Sequence, residues 1–126
     1  MENSECYCDT GLDFDNCCGL YLKNKQKAPT ALTLMRSRFS AYVIKDADYL
    51  MATTHPSERI YYSKEEILKW ATANEWIRLE IINFTEVTVA FKAYFLDDNK
   101  LPQIHYEFST FKQENGVWYY LEGKFE

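Results

Sequence analysis

The chain has 126 residues, of which 47% are hydrophobic, and a formal net charge of −5. This length suits one compact domain and leaves no room for a second full one. The longest apolar runs fall far short of the roughly 20 residues that a membrane span needs, and no dense basic run offers the positive surface that nucleic acids require. We therefore expect neither a membrane span nor nucleic-acid binding.

The first five residues, MENSE, are polar and acidic, unlike the basic and apolar start of a secretory signal. We therefore expect a cytoplasmic protein. In that compartment cysteine thiols stay reduced and are free to bind metal.

All four cysteines of the chain lie in two close pairs near its start: Cys6, Cys8, Cys17 and Cys18. The loop between the pairs contains Gly11, which lets the chain turn. Four thiolates that converge at about 2.3 Å from one ion form a closed tetrahedral site, so the spacing predicts one structural zinc. Two alternatives stay open. Redox-active thiols are disfavoured because the usual Cys-x-x-Cys is absent, and disulfides are disfavoured because bridges between neighbouring cysteines are strained.

Two helices are predicted after the cysteines. Apolar residues recur at spacings of three and four beyond Thr30, which is a candidate N-cap. A second, short helix is predicted to begin after the N-cap Asp46 and to stop at Pro56, because proline lacks the N–H that continues a helix.

A third helix is predicted after Ser63, which forms a capping box with Glu66. It is expected to end at Asn74. Its inward face is expected to contain Ile67, Leu68 and Ala71.

From Glu75 onward the apolar period changes from 3.6 to 2, which is typical of strands. Turns at 97–100 and at Asn115-Gly116 separate strands predicted over 77–81, 87–95, 104–111 and 117–122. Helices followed by hairpin-connected strands indicate an α+β fold with three helices packed on a four-stranded antiparallel sheet. We assign residues 1–27 to a zinc knuckle with its linker and residues 28–126 to the α+β domain.

Aromatic residues make up 17% of the chain, which indicates an aromatic core or rings that line a ligand pocket. Trp76 is a candidate for either role. His105 and Glu107 alternate along one predicted strand, so their side chains point the same way and are candidates for acid–base chemistry in a cavity. His55 is a further candidate at a cavity mouth, or it caps the helix before Pro56.

Arg36 and Arg38 interrupt the apolar face of the first predicted helix. A buried arginine usually needs an acidic partner, for which Asp46 and Asp48 are the nearest candidates. Alternatively, the two guanidinium groups bind an anion in the cavity.

The stretch Cys6-Tyr7-Cys8-Asp9-Thr10-Gly11, followed by Asn16-Cys17-Cys18-Gly19, resembles the SEC-C zinc motif. In that motif the positions of Tyr7, Asp9 and Thr10 hold proline, glycine and serine, a difference that metal ligation should survive. The motif also ends the preprotein translocase ATPase SecA, which implies a zinc knuckle that contacts protein partners and a link to protein export.

The remainder is similar to the YchJ-like proteins, in which a SEC-C motif precedes a nuclear transport factor 2-like (cystatin-like) domain. The matching stretches are residues 29–31, 34–41, 46–50, 54–57 and 116–121. The resemblance implies a half-barrel whose sheet curls round the helices and leaves a cavity, and it implies a possible homodimer formed through the open sheet face.

Two hypotheses of function follow. The first is a non-enzymatic cytosolic zinc protein that binds another protein through its knuckle, because no nucleophile or second carboxylate is fixed by spacing. The alternative is a small-molecule-binding or catalytic domain that uses the aromatic cavity. A deep cavity where His105 and Glu107 meet His55 or an arginine would favour the alternative.

Overall fold

The structure is a computed structural model that describes residues 5–125. The first four residues, on which the expectation of no secretory signal partly rests, lie outside it. Its α-helices are α1 (Cys18–Leu22), α2 (Ala31–Ile44), α3 (Ala47–Ala52) and α4 (Lys64–Ala73), and two short 3-10 helices span Phe14–Asn16 and Pro56–Tyr61. Its strands are β1 (Glu75–Phe84), β2 (Thr88–Leu96), β3 (Pro102–Glu114) and β4 (Val117–Phe125). Within residues 5–125, no helix is both long and apolar enough to cross a membrane.

The predicted starts of α2, α3 and α4 are confirmed. Each N-cap side chain accepts a hydrogen bond of 3.0 Å from the backbone N–H three residues further on. These N-caps are Thr30, Asp46 and Ser63. The bonds satisfy backbone donors that the first helical turn leaves free, which is why these residue types mark helix starts.

The four strands form one antiparallel sheet in the order β1-β2-β3-β4, so each strand pairs with the next one in the chain. The turn between β3 and β4 has positive φ at Asn115 (51°) and Gly116 (79°), the geometry that an Asn-Gly hairpin turn requires. The predicted α+β class and the four-stranded antiparallel sheet are confirmed.

Pro56 begins an element instead of ending one. Helix α3 already stops at Ala52, and Pro56 is the first residue of the 3-10 helix Pro56–Tyr61. Proline suits this position because its missing N–H would have no partner there. The expectation that His55 caps the preceding helix is also wrong, because His55 Nδ1 accepts a hydrogen bond from the N–H of Ser57 and so caps the 3-10 helix.

The regular alternation expected over 77–81 and one predicted inward position of α4 are wrong. Ile77 is 53% exposed because a register shift between Trp76 and Arg78 breaks the alternation of β1. Leu68 is 42% exposed, whereas Ala71 of the same helix is buried as predicted.

Helix α2 packs against the sheet and joins the N-terminal residues to one continuous core. That core includes Leu34 and Phe39 of α2, Leu79 of β1 and Phe111 of β3. Trp118 of β4 is also buried, and its side chain joins this strand to the segment that leads into α2. Its Nε1 donates to the carbonyl oxygen of Pro29 at 3.2 Å, across 89 positions of sequence.

Candidate metal centre and ligand cavity

The sulfur atoms of all four cysteines lie within 4.8 Å of one another. A tetrahedral ion with metal–sulfur bonds of about 2.3 Å would hold its sulfurs about 3.8 Å apart. The Cys8 and Cys17 sulfurs are already 3.6 Å apart, too far for a disulfide, and all four thiols are free. We call this group the cysteine cluster. Its spacing and ligand type suit one metal ion.

The loop of the cysteine cluster depends on unusual backbone angles. Gly11 has φ +83° and Asp9 has φ 67°, and the N–H of Cys6 donates to the carbonyl oxygen of Leu12 at 2.8 Å. These turns fold the loop between the two cysteine pairs back on itself, as predicted for Gly11. The cluster is therefore shaped by the chain itself.

Side chains around the cysteine cluster hold it in place. The Thr10 hydroxyl lies 3.2 Å from the Cys17 sulfur and 3.5 Å from that of Cys8. Ser40 of α2 places its hydroxyl 3.6 Å from the Cys6 sulfur. Such outer contacts orient ligands and support thiolate charge at metal sites.

Hydrogen bonds among the thiols decide where negative charge can reside in the cluster. Contacts with Cys18 and Cys8 lower the pKa of Cys6, and the same contact with Cys6 raises the pKa of Cys18. Burial raises the pKa of Cys17 to about 11. A divalent ion would supply the positive charge that lets the thiols of Cys17 and Cys18 ionise despite their raised pKa.

A cavity of about 320 Å³ opens on the opposite side of α2, between α2, α4 and the inner face of the sheet. We call it the cavity. Its walls are mainly aromatic and apolar, with a few polar groups between them. The lining residues are Met35, Arg38, Phe39, Tyr42, Thr54, Tyr62, Ile67, Trp70, Trp76, Phe91, Ala93, His105, Glu107, Tyr120 and Phe125.

Glu107 is the acidic group of the cavity and is 7% exposed. Its Oε1 lies 2.9 Å from His105 Nε2, and its Oε2 accepts hydrogen bonds from Ser109 at 2.6 Å and Tyr120 at 2.9 Å. Burial alone would raise the pKa of Glu107, but these hydrogen bonds outweigh it and lower the pKa. The carboxylate is therefore ionised and its oxygens are occupied.

Arg38 is the basic group of the cavity. Its Nη1 donates to the Leu50 carbonyl at 3.0 Å and to the Thr53 hydroxyl at 2.7 Å. Its guanidinium carbon lies 4.4 Å from the centre of the Tyr120 ring, whose hydroxyl donates a hydrogen bond to Glu107. Tyr120 thus contacts both charged groups.

The acidic partners predicted for the two arginines are wrong. Asp46 caps α3, and Asp48 pairs with Lys64 at 2.6 Å. Arg36 instead donates from Nη1 to the carbonyl oxygen of Cys8 at 2.7 Å, so it faces the cysteine cluster and not the cavity. Backbone and hydroxyl oxygens take the place of carboxylates because Asp46 is used as the N-cap of α3 and Asp48 is exposed beside Lys64.

His55 lies away from the other candidate residues. Its Nε2 is 3.0 Å from Glu114 Oε2, without the alignment of a hydrogen bond, and its ring meets Tyr119 edge-on at 5.6 Å. It does not line the cavity. His105, Glu107, Arg38 and Trp76 are brought together there, as the sequence pattern allowed.

Trp70 and Phe125 are cavity residues that sequence reasoning missed. Trp70 meets Trp76 edge-on at 5.9 Å, and Phe125 lies 5.0 Å from the His105 ring. Trp70 follows Ile67 by three residues on the same helix, so the two side chains share a face. Because Ile67 was predicted to face inward, this spacing could have marked Trp70 as facing the domain. Phe125 had no such signal because it lay beyond the predicted end of its strand.

A cysteine cluster on a loop, packed against helices that rest on a curled antiparallel sheet, defines a SEC-C motif protein with a nuclear transport factor 2-like domain. Two solved structures share this arrangement. A SEC-C motif containing protein from Rhodopseudomonas palustris superposes with a TM-score of 0.90 at 34% identity, covering 95% of this chain and 97% of that one. A SEC-C motif containing protein from Psychrobacter arcticus superposes with a TM-score of 0.80 at 29% identity, covering 97% of this chain and 81% of that one.

The sequence comparisons narrow this class. Residues 30–123 match the family described as the YchJ middle nuclear transport factor 2-like domain. A UPF0225 protein of Enterobacter sp. (strain 638) is 40% identical over 94% of this chain and 81% of its own length. The UPF0225 protein YchJ of Shigella dysenteriae is 35% identical over 94% of this chain and 81% of its own length. The chain belongs to the YchJ family.

Proposed function

We propose that the chain is a small-molecule-binding protein whose cavity holds the ligand and whose cysteine cluster holds one structural zinc. The observation that carries this proposal is the open cavity itself. It combines aromatic walls with two buried, oppositely charged side chains, Arg38 and Glu107. Ligand pockets typically have this composition and a volume of about 300 Å³ or more.

The zinc proposal rests on the donor set. Four thiolates fill a tetrahedral shell and leave no position for water, so the ion supports structure and takes no part in chemistry. The ligands are Cys6, Cys8, Cys17 and Cys18. The proposed division of the chain stays 1–27 for the knuckle with its linker and 28–126 for the ligand-binding domain. Thiol ligation needs a reducing compartment, which supports a cytoplasmic location.

Binding is proposed in preference to catalysis. The two groups suited to acid–base chemistry, His105 and Glu107, hydrogen bond to each other and hold the wall of the cavity in place. Among the cavity residues the spacing fixes no nucleophile beside them. A positioned acid or base alone contributes modestly to a rate, so a bound ligand is the simpler use of this geometry.

The experiment is a fragment titration of the zinc-loaded protein followed by the indole N–H signals in NMR spectra. The chain has three tryptophans, of which Trp70 and Trp76 line the cavity while Trp118 is bonded to Pro29 outside it. We expect flat aromatic fragments to shift the first two signals and leave that of Trp118 unchanged. A fragment set that moves neither cavity signal contradicts the proposal.

Two variants make the titration specific. Ala93→Phe places a ring inside the cavity, where Ala93 is one of the lining residues, and should abolish the shifts. Lys92→Phe adds the same ring to the same strand, but the alternation of side chains directs it to the other face of the sheet. Retained shifts in Ala93→Phe would place the fragments elsewhere.

A second candidate function is protein binding by the knuckle. Tyr7 and Leu12 are 44% and 54% exposed on the cysteine loop, and Tyr7 packs edge-on against Phe14 at 5.5 Å. This apolar surface is not needed for metal ligation and suits a partner, in line with the link to protein export implied by the SecA-type motif. The double variant Tyr7→Ser, Leu12→Ser should still bind zinc but should capture fewer proteins than the unchanged chain. An unchanged set of captured proteins would argue against protein binding by the knuckle.

The homodimer also stays a prediction. Ile104 and Phe108 are 57% and 39% exposed on the outer face of β3. Exposed apolar side chains on a sheet face are typical of interaction surfaces. Sedimentation velocity measures the oligomeric state of the unchanged chain and of Ile104→Lys, and the comparison checks the predicted homodimer.

A further inference from the structure

We propose that the ligand of the cavity carries a single carboxylate on a flat apolar body, and that the free edge of Arg38 binds this carboxylate. The inference rests on the proposed binding function and gives it a chemical class.

Arg38 has unused hydrogen-bonding capacity in a buried position. The side chain is 7% exposed, yet all of its hydrogen bonds within residues 5–125 come from Nη1, to Leu50, Thr53 and, at 3.5 Å, Thr54. Nε and Nη2 make none there. Two donors on one edge of a guanidinium match the two oxygens of a carboxylate.

The positive charge of Arg38 also lacks a direct counterion. No carboxylate of residues 5–125 forms a salt bridge with it. The Tyr120 ring, stacked 4.4 Å away, offsets part of the charge but supplies no anion. A buried cation without a pair is costly, and an anionic ligand would remove this cost.

Glu107 argues for one negative charge on the ligand and against two. Its oxygens already bind His105, Ser109 and Tyr120, so it offers little to a cationic ligand. As a fixed anion in the same cavity, it would repel a phosphate dianion more strongly than a carboxylate.

The aromatic wall indicates the shape of the ligand body. Trp76 forms close ring contacts with Phe39 at 6.3 Å, Phe95 at 5.0 Å and Trp70 at 5.9 Å. Rings arranged in this way bind flat apolar surfaces by stacking and edge contacts. A two-ring aryl carboxylate therefore suits both the wall and the arginine edge.

The test compares three probes that share one ring system: 2-naphthoate, 2-naphthalenemethanol and 2-naphthyl phosphate. Each is titrated into the zinc-loaded protein while the Trp70, Trp76 and Trp118 indole signals are followed by NMR. We expect naphthoate to bind about 10-fold or more tightly than the alcohol, as a charge-assisted hydrogen bond predicts, and more tightly than the phosphate.

Arg38→Lys keeps the charge but removes the paired donors. It should weaken naphthoate by about 10-fold and leave the alcohol unchanged. Arg78→Lys is the matched control, because Arg78 also stacks on a tyrosine ring, 4.2 Å from the centre of Tyr94, but on the outer face of the sheet. The control should bind all three probes as the unchanged protein does.

The outcomes separate the two proposals. If no probe moves the Trp70 and Trp76 signals, the binding function itself fails. If both signals move but the alcohol binds as tightly as the acid, the carboxylate inference is overturned while the cavity function stands. This comparison uses the unchanged protein, so it decides the matter even if Arg38→Lys does not fold. Tightest binding of the phosphate would overturn the preference for a single charge.

Discussion

Arg36 donates a hydrogen bond from Nη1 to the carbonyl oxygen of Cys8 at 2.7 Å, which joins helix α2 to the cysteine cluster. Two residues further along the same helix, Arg38 faces the cavity. One helix therefore supports both sites from opposite sides. A change at the cysteine cluster is expected to reach the cavity through α2.

Removal of the metal is the first prediction. Protein purified without chelator should contain one zinc per chain by elemental analysis, and its thiols should react only after chelation. Because the cluster belongs to the core, zinc loss should lower the free energy of unfolding by at least about 4 kcal/mol. Cys8→Ser should behave as the chelated protein does. Absence of metal together with four freely reactive thiols would contradict the zinc assignment.

Arg36→Gln should loosen the cluster without removing a metal ligand. The variant loses a hydrogen bond between a charged group and a partly buried carbonyl, so urea unfolding should show a loss of about 1.5–3 kcal/mol. It should still bind one zinc, but a chelator should remove the ion faster. Lys69→Gln, at an exposed position of α4, is the control and should match the unchanged chain. Equal rates of zinc release in both variants would count against the coupling.

Gly123→Ala should displace the Glu107 carboxylate. An added Cβ would clash with Glu107 Oε2 and lie 2.5 Å from the Tyr120 hydroxyl. Such overpacking costs about 1–3 kcal/mol, which thermal or urea unfolding would measure.

A double-mutant cycle identifies the cause. In the background of Glu107→Ala the clash with the carboxylate is gone and only that with the Tyr120 hydroxyl remains, so Gly123→Ala should cost less there. Additive losses would mean that the glycine is needed for another reason.

Glu107→Gln should change how stability depends on pH. Because the folded pKa of Glu107 lies below its ordinary value of 4.5, the ionised group stabilises the fold above pH 4.5 and loses that effect as the pH falls further. The variant should therefore be less stable than the unchanged chain at pH 7, and the gap should narrow below pH 4.5. Urea unfolding of metal-free forms of both proteins at matched pH values measures it. A gap that stays constant or widens on acidification contradicts this account.

Much of the fold could be predicted from the sequence because short local signals mark it. Thr30, Asp46 and Ser63 marked helix starts because an N-cap needs only a side-chain oxygen and a backbone N–H three residues away. The Asn115-Gly116 turn likewise needs only its own residues. The cysteine cluster was visible for the same reason, since its ligands come from one short loop.

The rest of the fold and of the site could not be predicted, because it depends on contacts between segments that are distant in sequence. The stack of Arg38 on Tyr120 joins α2 to β4, and no local pattern at either residue announces it. The register shift that exposes Ile77 depends on pairing with β2. Pro56 was misinterpreted because proline equally suits the end of one helix and the first turn of the next.

The hydrogen bond between Trp118 and Pro29 has a consequence for how the chain folds. Each strand pairs with its neighbour in sequence, so the sheet is assembled by short hairpin closures. Joining Pro29 to Trp118 closes 89 positions at once, at an entropic cost about 3 kcal/mol above that of a two-residue hairpin. Contacts between residues so far apart in sequence form slowly. We therefore expect the segment around Pro29 to reach its final position only after β4 has formed, although it precedes β4 by 89 positions in the chain.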